Sequence, residues 1–212
     1  MKAQPQTIRQ KNLQKAFSLM QKKKLDQAES LLESVLKEAE AKKDLMMTAL
    51  TCSAYGVLYK LKKEFRKAWK FYERAEKIYP EEPSLKLISG RLLVDYFGQY
   101  DTVVRKMDKV IELNPGNLVL LHQALTLKGI AHLRQGEKEK AVECLKRSMD
   151  GGFEPLKTCV NLDFKLVEEL MKKKVGTDAC HEFLEKANAL SRKSREAPFQ
   201  KLTKRLLDHF PA

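Results

Sequence analysis

Residues 49–82 read ALTCSAYGVLYKLKKEFRKAWKFYERAEKIYPEE. Apolar and small residues recur at helical spacing on both sides of a short break, Glu64-Phe65-Arg66. The pattern predicts two antiparallel helices. Gly56 and Ala68 are expected to face each other where the helices cross, because small side chains let the backbones approach. Tyr59 and Tyr72 fill the gaps toward neighbouring helices, with Ala75 one turn further on. Pro80 ends the second helix and Pro83 helps open the next.

The same signal recurs along the chain. A small or branched residue opens a second helix after a short turn at Ala28, Ala68, Val103 and Ala141, at intervals of 40, 35 and 38 residues. The turns before them are Lys24-Leu25-Asp26, Glu64-Phe65-Arg66, Gln99-Tyr100-Asp101 and Gly136-Glu137-Lys138. Three of the four carry an apolar residue that staples the turn. In residues 49–82, Gly56, Tyr59, Ala68, Tyr72, Ala75 and Pro80 stand at spacings that resemble the tetratricopeptide repeat. A copy over about 122–155 keeps Gly129, Ala141 and Leu145, but has His132, Ser148 and Phe153 in the other slots. A copy over 84–117 ends in Asn114-Pro115-Gly116-Asn117 and has Arg91 in the small-residue slot, with Gly90 one position early. A copy over about 9–42 keeps Ala16 and Ala28, with Leu19 and Leu32 in the aromatic slots.

The resemblance implies an all-α fold: a right-handed superhelical solenoid of antiparallel helix pairs, with four to five repeats and a C-terminal cap. Residues 1–155 would hold the repeats. Residues 156–212 would hold a degenerate fifth repeat and a last amphipathic helix with Phe199, Leu202, Leu206 and Phe210 on one stripe. A polar-backed helix of that kind covers the apolar end that stacked repeats leave open.

Composition agrees with a helical chain. Hydrophobic residues make up 43% and charged residues 33%, with only 9 Gly and 7 Pro in 212 residues. The net charge of +13 favours acidic partners, either protein or nucleic acid, although interleaved Glu and Asp break most of the basic clusters. No apolar run approaches the roughly 20 residues that span a bilayer. Residues 1–10 lack an apolar signal-peptide core, so the reading is a protein of the reducing cytoplasm.

In the family, the first helix of each pair lines a concave groove. Carried onto this chain, the resemblance implies a partner-binding groove of Phe17, Val57, Leu61, Ile88, Leu92, Tyr96, Leu127 and Ile130, with Ser53, Lys60, Asp95 and Arg134 among the positions between. An apolar track of that kind suits an amphipathic helix or extended apolar peptide of another protein. A phase shift of one or two residues would make the same side chains ordinary core. Some family members clamp the acidic tail of chaperones with Lys, Asn and Arg. Those positions here hold Leu13, Phe17, Ala54, Leu85 and Ser89, which argues against that activity.

The functional expectation is therefore a non-enzymatic protein-interaction scaffold or adaptor, without cofactor or metal. The alternative is a nucleic-acid-binding helical repeat using the basic helices. Cys52, Cys144, Cys159 and Cys180 form no CxxC pair, and His122, His132, His181 and His209 have no paired-ligand spacing. Gly151-Gly152 follows a helix and reads as a helix stop, not a phosphate loop. Trp69 is read as packing against the next repeat, or else as an exposed partner hot spot among basic residues.

Overall fold

The computed structural model describes residues 8–156, 161–194 and 196–210, so Cys159 lies outside the described residues. These form eleven α-helices and no strand. They are α1 (Ile8–Gln21), α2 (Leu25–Ala41), α3 (Leu45–Leu61), α4 (Phe65–Ile78), α5 (Pro83–Leu92), α6 (Tyr100–Leu113), α7 (Leu118–Gln135), α8 (Lys138–Arg147), α9 (Lys165–Lys172), α10 (Thr177–Lys193) and α11 (Ala197–Asp208). A π-helical turn, Leu93–Phe97, continues α5, and a 3-10 turn, Glu154–Leu156, precedes α9. The helices pair in sequence order, as the repeat pattern predicts. Residues Met1–Leu92 and Leu93–Ala212 form two compact units. The division falls between α5 and the π-helical turn that continues it.

One device closes the turns within the pairs. At the end of α1, Lys24 N–H bonds to the Leu19 carbonyl (2.9 Å) and Lys23 N–H to Met20 (3.0 Å). The same two bonds recur after α3, where Glu64 reaches Tyr59 (2.8 Å) and Lys63 reaches Lys60 (3.0 Å). They recur again after α7 at Glu137 and Gly136, and after α9 at Val175 and Lys174. This is the Schellman arrangement, which needs one residue in the left-handed region. Gly136 takes it at φ 88°, whereas Lys23, Lys63 and Lys174 take it at φ 59°, 62° and 54°. Lys23, Lys63 and Lys174 are thus turn residues, placed where lysine charge also complements the helix C-terminus.

In unit 1, α2, α3 and α4 pack in succession, α1 touches both α2 and α3, and α5 covers α4. The core joins Ala16, Met20, Ala28 and Leu32 to Ala54, Tyr55 and Leu58. Tyr55 and Tyr59 stack on Phe71, with centroids at 4.5 and 5.5 Å. The Tyr59 hydroxyl donates to Glu29 Oε1 (2.5 Å), and Lys62 Nζ donates to Glu29 Oε2 (2.5 Å). Both bonds, Lys62 first, hold the Glu29 carboxyl below its usual range. Gly56 is a glycine because of Tyr72 rather than Ala68. A Cβ at Gly56 would lie 2.2–2.6 Å from three atoms of the buried Tyr72 ring.

The third pair explains its own irregular spacing. From Gly56 to Ala68 is a step of 12 positions, and from Gly129 to Ala141 again 12, but from Gly90 to Val103 the step is 13. The π-helical turn at Leu93–Phe97 lies between the last two and absorbs the extra residue. Gly90 is accordingly buried, and Arg91 is only half-buried.

In unit 2, α7 packs against α6, α8 and α9, and α10 packs against α8, α9 and α11. Gly129 again makes room, with its Cβ position 2.4 Å from Leu166 and 3.0 Å from the Cys144 Cβ. The helix expected as a cap, α11, buries Phe199, Thr203 and Leu206. Thr203 and Ser191 share a hydrogen bond of 3.0 Å across α10 and α11. His122 lies fully inside this unit, stacked on Phe183 with centroids 6.1 Å apart. Its Nε2 accepts the Asp163 N–H at 2.9 Å, which requires the unprotonated nitrogen. Burial pushes its pKa below the ordinary value, against the opposing pull of the Asp163 charge.

Three measurable consequences follow from this packing. Alanine normally stabilises a helix by about 1 kcal/mol relative to glycine. Gly56→Ala should instead destabilise by about 1–3 kcal/mol, because the buried ring cannot yield; urea unfolding reads the sign. Lys63→Gly should raise stability by about 0.5–1 kcal/mol, since it relieves a left-handed side chain at some cost in unfolded-state entropy. His122 binds a proton more readily when unfolded, so its contribution is complete above pH of about 6.5 and is lost as pH falls, at up to about 1.4 kcal/mol per unit. Between pH 7 and 5 the stability of His122→Gln should fall less steeply than that of the native chain.

Candidate functional site

α3 is apolar on every side. Its sequence, LMMTALTCSAYGVLYKL, carries one charge in seventeen residues. Asp44 caps its start by accepting the Met47 N–H at 3.0 Å. One face packs into the unit 1 core through Cys52, Ala54, Tyr55 and Leu58. The other face runs Met46, Leu50, Ser53, Val57 and Leu61, at the helical spacing of three and four. Met46 is 62% exposed, Leu50 42% and Leu61 51%, while Ser53 and Val57 are half-buried. Lys60, beside Leu61, is half-buried and makes no ion pair with any described residue.

At its N-terminal end this face opens into a cavity of about 260 Å³. Met46, Ala49, Leu50 and Ser53 of α3 line it with Tyr79, Glu82, Ser84 and Leu85. Tyr79 follows the last residue of α4, and Pro80 and Pro83 bend the chain so that α5 begins on the other side. Lys86 is largely buried and donates to the Pro80 carbonyl, which pins that bend. Glu82 accepts from the Ser84 hydroxyl at 2.5 Å. A largely apolar, partly open concavity of this kind accepts a large apolar side chain.

The groove residues expected from the sequence divide between surface and core. Phe17 is 39% exposed on α1, and Val57, Leu61 and Ile88 have accessible surface in unit 1. Tyr96 is 46% exposed in unit 2. Leu92, Leu127 and Ile130 are buried and offer no surface in this chain. Leu127 and Ile130 lie on α7, where the adjoining helices on several sides leave little of the helix uncovered. Among the repeat-defining residues, Ala68, Tyr72, Ala75, Ala141, Gly56 and Gly129 are buried, Tyr59 is half-buried, and Pro80 is exposed. Trp69 is half-buried. Met46, Leu50 and Tyr79 were missed because the repeat pattern describes packing positions and the cavity forms where three helix ends meet. The signal was available in α3, which has no polar face of its own.

In unit 2 the corresponding first-helix surface is ionic and self-paired. Arg134 of α7 grips Glu169 of α9 through Nε (3.2 Å) and Nη2 (2.6 Å), and its Nη1 donates to the Val94 carbonyl (2.7 Å). That carbonyl belongs to the π-helical turn, so the guanidinium caps a helix C-terminus. Lys165 of α9 donates to Asp95 Oδ1 at 2.5 Å, and Arg134 lies 3.8 Å from the same oxygen. The four side chains are at most about one-third exposed. This surface is satisfied internally, whereas the α3 face is not.

Among the described residues no group of three or more His, Cys, Asp or Glu gathers as a metal site. Cys180 is buried and its neighbour His181 exposed, so the two diverge. Burial pushes the thiols of Cys144 and Cys180 up to about 11 and about 12. No described helix is long and apolar enough to cross a membrane.

The family model described as a tetratricopeptide repeat matches residues 122–150, which is the fourth helix pair. No curated protein matches the chain by sequence. Among solved structures, PilW, a widely conserved type IV pilus biogenesis factor, is 18% identical with a TM-score of 0.66, over 98% of this chain and 96% of that one. The apo form of RapI is 18% identical with a TM-score of 0.71, over 97% and 78%. YrrB, a tetratricopeptide-repeat protein with an unusual peptide-binding site, is 17% identical with a TM-score of 0.53, over 92% and 91%. At these identities the likeness speaks to the fold, and it agrees with the helix pairs and the repeat matched at residues 122–150: the chain has a tetratricopeptide-repeat fold.

Proposed function

We propose that the chain is a non-catalytic interaction scaffold that holds an amphipathic helix of another protein on the uncovered face of α3 in unit 1. The observation that carries this reading is the stripe of exposed Met46, Leu50 and Leu61 with half-buried Val57 along one helix, ending in a largely apolar cavity. Monomeric proteins seldom leave such a stripe in water. Each large side chain buried there supplies about 1.5–3 kcal/mol before the cost of ordering the partner. Phe17 and Ile88, on the flanking first helices of the same unit, widen the surface. Leu92, Leu127 and Ile130 take no part, and Tyr96 belongs to the other unit. A helix that presents leucines at i, i+3, i+4 and i+7 matches the spacing. The buried thiols of Cys52, Cys144 and Cys180 suit a reducing compartment such as the cytoplasm.

The test uses an amphipathic helical peptide with leucines at that spacing and the full chain. Hydrogen exchange should show protection by the peptide over residues 45–61 and 79–88. Leu50→Asp with Leu61→Asp should weaken binding about tenfold or more, with helical content unchanged, since both residues are already exposed. Binding that ignores these changes, falls steeply with salt and is competed by single-stranded DNA would replace this reading with a nucleic-acid function of the basic helices.

A further inference from the structure

Unit 2 carries a concave feature that the α3 face does not involve. A cavity of about 470 Å³ lies between α9 and α11, lined by Glu168, Met171, Lys172, Lys174, Arg205, Leu206 and His209. Met171 and Leu206 form an apolar floor, with Leu206 almost wholly buried. Around the floor stand three fixed positive charges and one negative charge. Glu168 is spanned by Arg205 at 4.0 Å. Lys172 closes α9, and Lys174 occupies the left-handed position of the following turn. Elsewhere in this unit lysines pair with a glutamate one turn away, as Lys186 of α10 does with Glu182. Neither Lys172 nor Lys174 has a carboxylate partner among the described residues. His209 donates from Nδ1 to the Arg205 carbonyl at 2.8 Å, because a carbonyl only accepts.

We infer that this cavity binds an acidic peptide segment bearing a large apolar side chain. The floor takes the apolar side chain, and Lys172, Lys174 and Arg205 take the flanking carboxylates. A simple inorganic anion uses the rim alone and leaves the floor wet. Single-stranded nucleic acid needs aromatic platforms for its bases, and His209 is the only ring among the described lining residues. The site is separate from α3, so the two readings stand or fall independently.

A fluorescein-labelled peptide, Glu-Glu-Leu-Phe-Glu-Glu, titrated against the full chain by anisotropy, tests the assignment. Lys174→Glu with Arg205→Glu should weaken binding by about tenfold or more. Lys138→Glu with Lys201→Glu imposes the same charge change on exposed lysines outside the cavity and should alter it by less than about threefold. Met171→Ser, and a peptide with Ser-Ser in place of Leu-Phe, should each weaken binding, whereas Leu50→Asp with Leu61→Asp should not. If the reversed pair unfolds the chain, Lys172→Gln with Lys174→Gln repeats the test without repulsion beside Glu168. Absence of binding at millimolar peptide, equal loss in the two reversed pairs, or indifference to the Ser-Ser peptide would each overturn the proposal.

Discussion

The Tyr72 ring occupies the volume that a side chain at residue 56 would need. Two helices joined by a short turn bury little on their own, and they hold together only where one presents a gap and the other a filler. Gly56 and Tyr72 meet that condition in unit 1, and Gly129 meets it with Leu166 and Cys144 in unit 2. Once the pair is closed, its remaining apolar surface must be covered by the next pair, which is why the pattern repeats. The left-handed lysines follow from the same demand. The chain must reverse within three residues, and it accepts Lys23, Lys63 and Lys174 at positive φ to do so.

The two units answer differently the question of what becomes of the first-helix surface. In unit 2, Arg134, Glu169, Lys165 and Asp95 satisfy one another, and the π-helical turn supplies a carbonyl to the guanidinium. Partly buried charge is costly unless paired, so this set holds α7, α9 and the turn in register. In unit 1 the surface is apolar, and Met46, Leu50 and Leu61 stay exposed. One unit thus carries a closed ionic surface and the other an open apolar one.

Function in such a fold resides in surfaces, because the core pattern is shared by proteins that do different things. The α3 face and the α9–α11 cavity are therefore more informative than the repeat itself. They also differ in kind. The first is a stripe on one helix. The second is a concavity where an apolar floor meets unpaired cations, and so it selects by charge as well as by shape.

The sequence by itself determined the helix pairs, their order and their ends. Small residues, aromatic fillers and turn-breaking prolines are local requirements that repeat along the chain, and Gly90 standing one position early already announced an extra residue before Val103. Whether an apolar side chain faces water or a neighbour was decided only by tertiary structure. Leu61 and Ile130 are alike as residues and both lie on first helices, yet α7 is enclosed by several neighbours and α3 keeps one bare face. The π-helical turn, the Arg134 network and the cavity beneath Lys174 depend on groups 30 to 70 residues apart arriving at one place. Helical periodicity carries information over one or two turns, so meetings across that distance are set by packing.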